Sequence, residues 1–104
     1  MGIRFDLVQN NIDGKELEKA GRVDDAVKLY LYNVKSRFEG SHPYDRLAII
    51  YRKAKEYDKE IDILKRAIDV FENDVILERP DRDRKIKRFK DRLAKAEKLK
   101  ESSK

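Results

Sequence analysis

The chain has no cysteine and a single histidine, His42. Disulfides and thiolate chemistry are thereby excluded, and a zinc site has no ligand set of the usual Cys and His kind. Beside Pro43, His42 is expected as a helix cap or a surface residue. Glycine is scarce: Gly2, Gly14, Gly21 and Gly40 are too scattered to form a phosphate-cradling loop. No apolar run is long enough for a signal peptide or a membrane span, so a cytoplasmic protein away from membranes is expected. Neighbouring carboxylates such as Asp24/Asp25 suit helix starts for dipole reasons and do not read as an acid–base pair. With no nucleophile–base pair and no metal set to assemble, neither an enzyme nor a cofactor is expected.

Charge is what the chain has in abundance. Of its 104 residues, 45% are charged and 39% apolar, which predicts a thin core under a charged surface and room for one domain only. The net charge of +5 is unevenly placed. Residues 79–104 hold twelve Lys/Arg against five Asp/Glu, whereas residues 1–78 are slightly acidic. The basicity therefore belongs to the C-terminal segment.

Apolar spacing of three and four residues predicts helices throughout. Phe5, Val8, Ile12 and Leu17 mark an opening helix ended by Gly21, which can take a left-handed conformation. Asp24 is a candidate cap for a second helix carrying Val27, Tyr30, Leu31, Val34 and Phe38, with Gly40 at its end. Ser41 or His42 can cap a third, with Pro43 in its first turn and Tyr44, Leu47, Ala48, Ile50 and Tyr51 on its stripe. Asp58 is a candidate cap for a fourth, carrying Ile61, Leu64, Ala67, Ile68 and Phe71. Val75–Leu77 either prolong that helix or form an irregular link, and Pro80 imposes a break. A last helix, about 81–101, presents Ile86, Phe89, Leu93, Ala96 and Leu99 as a narrow seam, with a frayed tail over 102–104.

The third and fourth helices repeat the first and second. Leu17 parallels Tyr51, Gly14 parallels Ala48, Tyr30 parallels Leu64 and Asn33 parallels Ala67, each 34 residues apart. The order Tyr44, Leu47-Ala48, Tyr51, Tyr57, Leu64, Ala67 resembles the tetratricopeptide (TPR) repeat, which has this period. Asp13, Asn33, Glu60 and Glu72 depart from its pattern. The resemblance implies an all-α fold of antiparallel helical hairpins, about five helices in all. Its parts are repeat 1 over about 5–40, repeat 2 over about 41–74, a linker at 75–80 and a basic capping helix over about 81–101. A self-association seam is the alternative use of the last helix.

The resemblance also implies a function, that of an adaptor holding a peptide or protein in a groove lined by the first helix of each repeat. The groove-facing positions are Asn11, Lys15 and Glu18 in the first repeat and Asp45, Ile49, Arg52 and Lys53 in the second. A clamp for a chaperone C-terminal tail is not expected, because Lys15, Asp45 and Ile49 break its pattern. The alternative is a nucleic-acid-associated adaptor, with Arg82, Arg84, Lys85, Arg88 and Arg92 following a phosphate backbone. Asp81, Asp83 and Asp91 interleave with these cations, a pattern common on salt-bridged solvent faces. Tyr32 falls off the apolar stripes and is the one aromatic expected at the surface.

Overall fold

A computed structural model describes residues 2–103, with side chains from Asp6 onward, so the expectations for Phe5 and Lys104 fall outside the described residues. The fold is all-α. Five helices follow one another: α1 (Gly2–Lys19), α2 (Val23–Lys35), α3 (His42–Lys53), α4 (Tyr57–Asn73) and α5 (Arg82–Ser102). Each packs on the next in sequence, and α2 also touches α4. The body measures 46 × 36 × 18 Å. Its thin dimension is about two helix diameters, so the array is two layers deep, with α1, α3 and α5 on one side and α2 and α4 on the other.

Two hairpins make up the first four helices, and their turns share one device. Gly21 (φ 79°) and Lys55 (φ 60°) both take left-handed conformations just after α1 and α3. Arg22 N–H then bonds to Leu17 C=O at 2.8 Å, and Glu56 N–H to Tyr51 C=O at 2.9 Å, which satisfies carbonyls at the helix ends. Asp24 and Asp58 are not the caps. The N-cap residues are Arg22 and Glu56, neither of which makes a side-chain cap bond. The two aspartates lie one residue inside the helix instead, where a negative charge favours the dipole. Nor does Gly40 end α2. The helix stops at Lys35, and Arg37 (φ 57°) supplies the left-handed residue.

The inner face of α1 also differs from expectation. Leu7 and Gly14 are buried and Leu17 packs partly on the core, whereas Val8 and Ile12 are about half exposed. Gly14 allows the close approach of α2, since a Cβ there would sit 2.5 Å from the Tyr30 ring. Asn33, a polar residue at a core position, is fully buried and fully bonded. Its amide donates to Leu7 C=O at 2.7 Å and to Asn11 Oδ1 at 2.9 Å, and its Oδ1 accepts from Asn10 Nδ2 at 3.1 Å. A buried amide satisfied in this way avoids the roughly 1–3 kcal/mol cost of an unpaired polar group.

The main core runs from α2 to α5 through Tyr30, Tyr44, Leu47, Leu64, Phe71 and Phe89. Tyr57, expected among the packing aromatics, is only partly buried. Helix α5 covers α4 through Ile86, Phe89 and Ala96, and the Phe71 and Phe89 rings meet edge-on with centroids 5.2 Å apart. Such a pair adds about 0.5–1.5 kcal/mol beyond area burial. Residues 74–81 are an irregular link in which Val75 is buried while Ile76 and Leu77 are exposed. Ser102 belongs to α5, and Ser103 Oγ donates to Lys100 C=O at 3.0 Å.

Candidate functional site

Packing on α2 and α4 sets α1, α3 and α5 in a row, and charged side chains bridge them. Between α1 and α3, Arg46 donates Nη2 to Glu18 Oε1 at 2.6 Å and Nε to Oε2 at 3.1 Å. The Tyr30 hydroxyl from α2 donates to the same carboxylate at 2.6 Å. Burial opposes the charge on Glu18, but the bonds from Arg46 and Tyr30 outweigh it and hold the carboxyl below its ordinary value. The His42 ring meets Tyr30 edge-on, 5.5 Å between centroids. Burial, followed by the charges of Lys15 and Arg46, pushes its imidazole below its usual value.

Between α3 and α5, Arg88 donates to Asp45, Lys85 Nζ donates to Ser41 Oγ at 2.7 Å, and Arg52 Nη2 donates to Arg92 C=O at 3.3 Å. Arg52 also pairs with Glu60 of α4, so one side chain ties three helices together.

The residues expected in the groove thus divide in two. Asn11, Glu18, Asp45 and Arg52 are bonded within the protein. Lys15 and Lys53 are exposed, Ile49 is partly exposed, and neither lysine has a hydrogen-bond or ion-pair partner among the described residues. The basic surface expected on α5 divides likewise. Arg82 is turned against the end of α4, where it bonds to Val75 C=O at 3.2 Å and Glu72 C=O at 3.1 Å. Lys85 and Arg88 face α3. Among the described residues, Arg84 and Arg92 keep their side chains free of such partners. Arg84 points to solvent, whereas Arg92 lies beside α3.

Two open clefts meet on this surface, and Ile49 and Lys53 line both. One, of about 350 Å³, lies between α3 and α5 and is bordered by Ala48, Arg52 and Arg92. The other, of about 570 Å³, lies between the hairpins and is floored by Val23, Val27, Leu31 and Ile50. Sequence reasoning missed the contributions of α2 to the second cleft. The signal was present: Val23, Val27 and Leu31 recur at a spacing of four, offset from the core positions Ala26, Tyr30 and Asn33.

Among the described residues no group of three or more His, Asp or Glu side chains is placed to hold a metal, and no helix is long and apolar enough to cross a membrane. Comparison with family models, curated proteins and solved structures finds no match to the chain.

Proposed function

We propose that this chain is a TPR-like protein-interaction module that holds a peptide or a segment of another protein against α3, between α1 and α5. The observation that carries the reading is the division of charge on this surface. The ion pairs Glu18–Arg46, Arg52–Glu60 and Asp45–Arg88 fix the helices. Lys53 and Arg92 are left uncompensated beside the partly exposed Ile49, and Lys15 is left so near His42. A rigid scaffold presenting a few unpaired charges beside apolar surface suits recognition of a partner. The 34-residue repetition of the hairpins supports the family resemblance. The chain is read as a non-enzymatic adaptor acting in the cytoplasm.

The nucleic-acid reading has less support, because Arg82, Lys85 and Arg88 are engaged with α3 and α4. The test is selection from a displayed random-peptide library. Enriched peptides are expected to bind the wild-type protein and to lose affinity at least about tenfold for Lys53→Glu/Arg92→Glu, with helicity by circular dichroism unchanged. Peptides that bind both proteins equally would place the site elsewhere. A single-stranded oligonucleotide serves as comparison, and steep salt-dependent binding of it, lost in Arg84→Ala/Arg92→Ala, would favour the nucleic-acid reading instead.

A further inference from the structure

Resting on the groove reading above, we infer that the segment this protein recognises carries an Asp or Glu carboxylate next to a large apolar side chain. The two clefts are one continuous surface divided by Ile49 and Lys53, and they differ in chemistry. The α3–α5 cleft is basic. Arg52 there is neutralised by Glu60, but Lys53 and Arg92 have no countercharge among the described residues. An anionic group seated between them completes the charge balance, and a carboxylate matches their N–H donors.

The neighbouring cleft is apolar at its floor, where Val23, Val27, Leu31 and Ile50 converge. Val23 is 38% exposed, an apolar residue in the first turn of a helix with water on one side. The rim brings in little net charge, because Glu18 pairs with Arg46 and Glu56 with Lys59. Asp24 stands in the first turn of α2, where the helix dipole already favours it. At about 570 Å³ the cleft falls in the range of roughly 300–1,000 Å³ usual for ligand sites, and it admits the side chain of Leu, Ile, Met or Phe. Since Ile49 and Lys53 border both clefts, the two ligand groups lie at adjacent or next-but-one positions of an extended segment, which advances about 3.3 Å per residue.

Three fluorescein-labelled, end-capped peptides test this: Gly-Ser-Gly-Glu-Leu-Glu-Gly-Ser-Gly, its Leu-to-Ala form and its Glu-to-Gln form. They are titrated by fluorescence anisotropy in low salt. The parent is expected to bind, and the Ala form to bind about tenfold or more weakly, as loss of a buried leucine side chain implies. The Gln form is expected to weaken on wild type but to bind Lys53→Glu/Arg92→Glu better than the parent does, because the reversed charges repel glutamate. Val27→Glu should abolish the leucine preference while keeping the glutamate preference. Val23→Glu, at a more exposed position, does the same should Val27→Glu fold poorly. Equal binding of parent and Ala forms, with sensitivity to Lys53→Glu/Arg92→Glu retained, overturns the paired recognition and leaves the groove standing. Equal binding of all three peptides by wild type and Lys53→Glu/Arg92→Glu overturns the groove as well. No binding of the parent at about millimolar concentration overturns the inference, and the groove is then judged by the library selection.

Discussion

Arg52 donates Nε to one oxygen of Glu60 at 2.8 Å and brings Nη2 within 2.7 Å of the same oxygen, and the carboxylate of Glu60 is fully buried. The other oxygen, Oε1, is buried without a partner. At the position 34 residues earlier, hairpin 1 has Ala26, equally buried. Packing of this hairpin type therefore does not need the acid, and Arg52 is what makes it tolerable. The two partners are not equivalent. Arg52→Ala strands a buried charge and is expected to cost about 3–5 kcal/mol. Glu60→Ala releases an arginine whose side chain is already 34% exposed and removes the orphaned oxygen. It is expected to stay within about 1 kcal/mol of wild type. Arg52→Ala/Glu60→Ala should resemble Glu60→Ala alone. Urea unfolding midpoints decide the matter, and equal losses for the two single variants would refute the asymmetry.

Gly14 and Tyr30 form a size-matched pair whose counterpart in hairpin 2 is Ala48 with Leu64. A Cβ at Gly14 would meet Tyr30 Cε1 at 2.5 Å, Cζ at 2.7 Å and the hydroxyl oxygen at 2.9 Å. Gly14→Ala is therefore expected to destabilise by about 1–3 kcal/mol through overpacking, despite alanine's better helix propensity. Leucine lacks the atoms that clash. Gly14→Ala/Tyr30→Leu recreates the hairpin 2 pair and should recover part of the loss. The recovery stays incomplete because the Tyr30 hydroxyl bond to Glu18 is gone. Thermal melts of the two variants and of Tyr30→Leu alone measure the coupling, and additive losses would rule out the size match.

Five helices and their order were legible in the sequence because apolar spacing and the breaks at Gly21 and Pro80 are local signals, although Gly40 marked the end of α2 too late. The 34-residue offset aligned Gly14 with Ala48 and Tyr30 with Leu64, but only the structure shows that Gly14 packs on Tyr30. Helix starts were not. Asp24 and Asp58 have the composition of caps, yet with the left-handed residues at Gly21 and Lys55 each helix begins two residues earlier than a cap at those positions would allow. A left-handed lysine leaves no mark in composition. The inner face of α1 was misjudged because Val8 and Ile12 share a helical spacing as good as that of Leu7, Gly14 and Leu17, and only the approach of α2 chooses between them. At the candidate site, the family resemblance named Lys15, Ile49 and Lys53 together with Asn11, Glu18, Asp45 and Arg52. It did not show that Arg52, Arg82 and Arg88 are held by α4, α3 or the linker, because which cations stay free depends on carboxylates and carbonyls far along the chain.

Lys55 and Arg37 share a left-handed backbone, φ 60° and 57°, yet glycine is expected to act differently at the two places. Left-handed backbone costs a non-glycine residue about 1–2 kcal/mol. Among the described residues Lys55 has no side-chain partner, so Lys55→Gly should be neutral or stabilising by up to about 1 kcal/mol. Arg37 donates Nε to Asp74 at 2.7 Å and Nη1 to Asp69 at 2.9 Å, joining the end of α2 to the end of α4. Arg37→Gly loses those bonds along with the strain and should be less stable than Lys55→Gly. Gly21→Ala, where a Cβ has open space but φ is 79°, isolates the backbone term and should cost about 1 kcal/mol. Denaturant midpoints for the three variants separate backbone strain from side-chain anchoring.

The pH dependence of stability should show two limbs, each with its own source. His42 is the only histidine, and its folded value lies below the ordinary 6.5 because burial, then Lys15 and Arg46, disfavour the imidazolium, with Glu18 and Asp45 opposing them. The unfolded chain therefore takes up this proton first. The contribution of neutral His42 is complete above about pH 6.5 and is lost as pH falls through the folded value. Glu18 is held below its ordinary 4.5 by Arg46 and Tyr30 against its burial. Its contribution is present above that value and is lost as pH falls further. Melting temperature should thus be flat between about pH 7 and 9, decline from about 6.5 downward, and steepen below 4.5. His42→Gln removes the first limb because no other side chain with an ordinary value near 6.5 exists in the chain. Glu18→Gln leaves the first limb and shallows the second, since Asp69 and Asp81, also held low by arginines, still titrate there. A first limb that persists in His42→Gln would show that His42 is not its source.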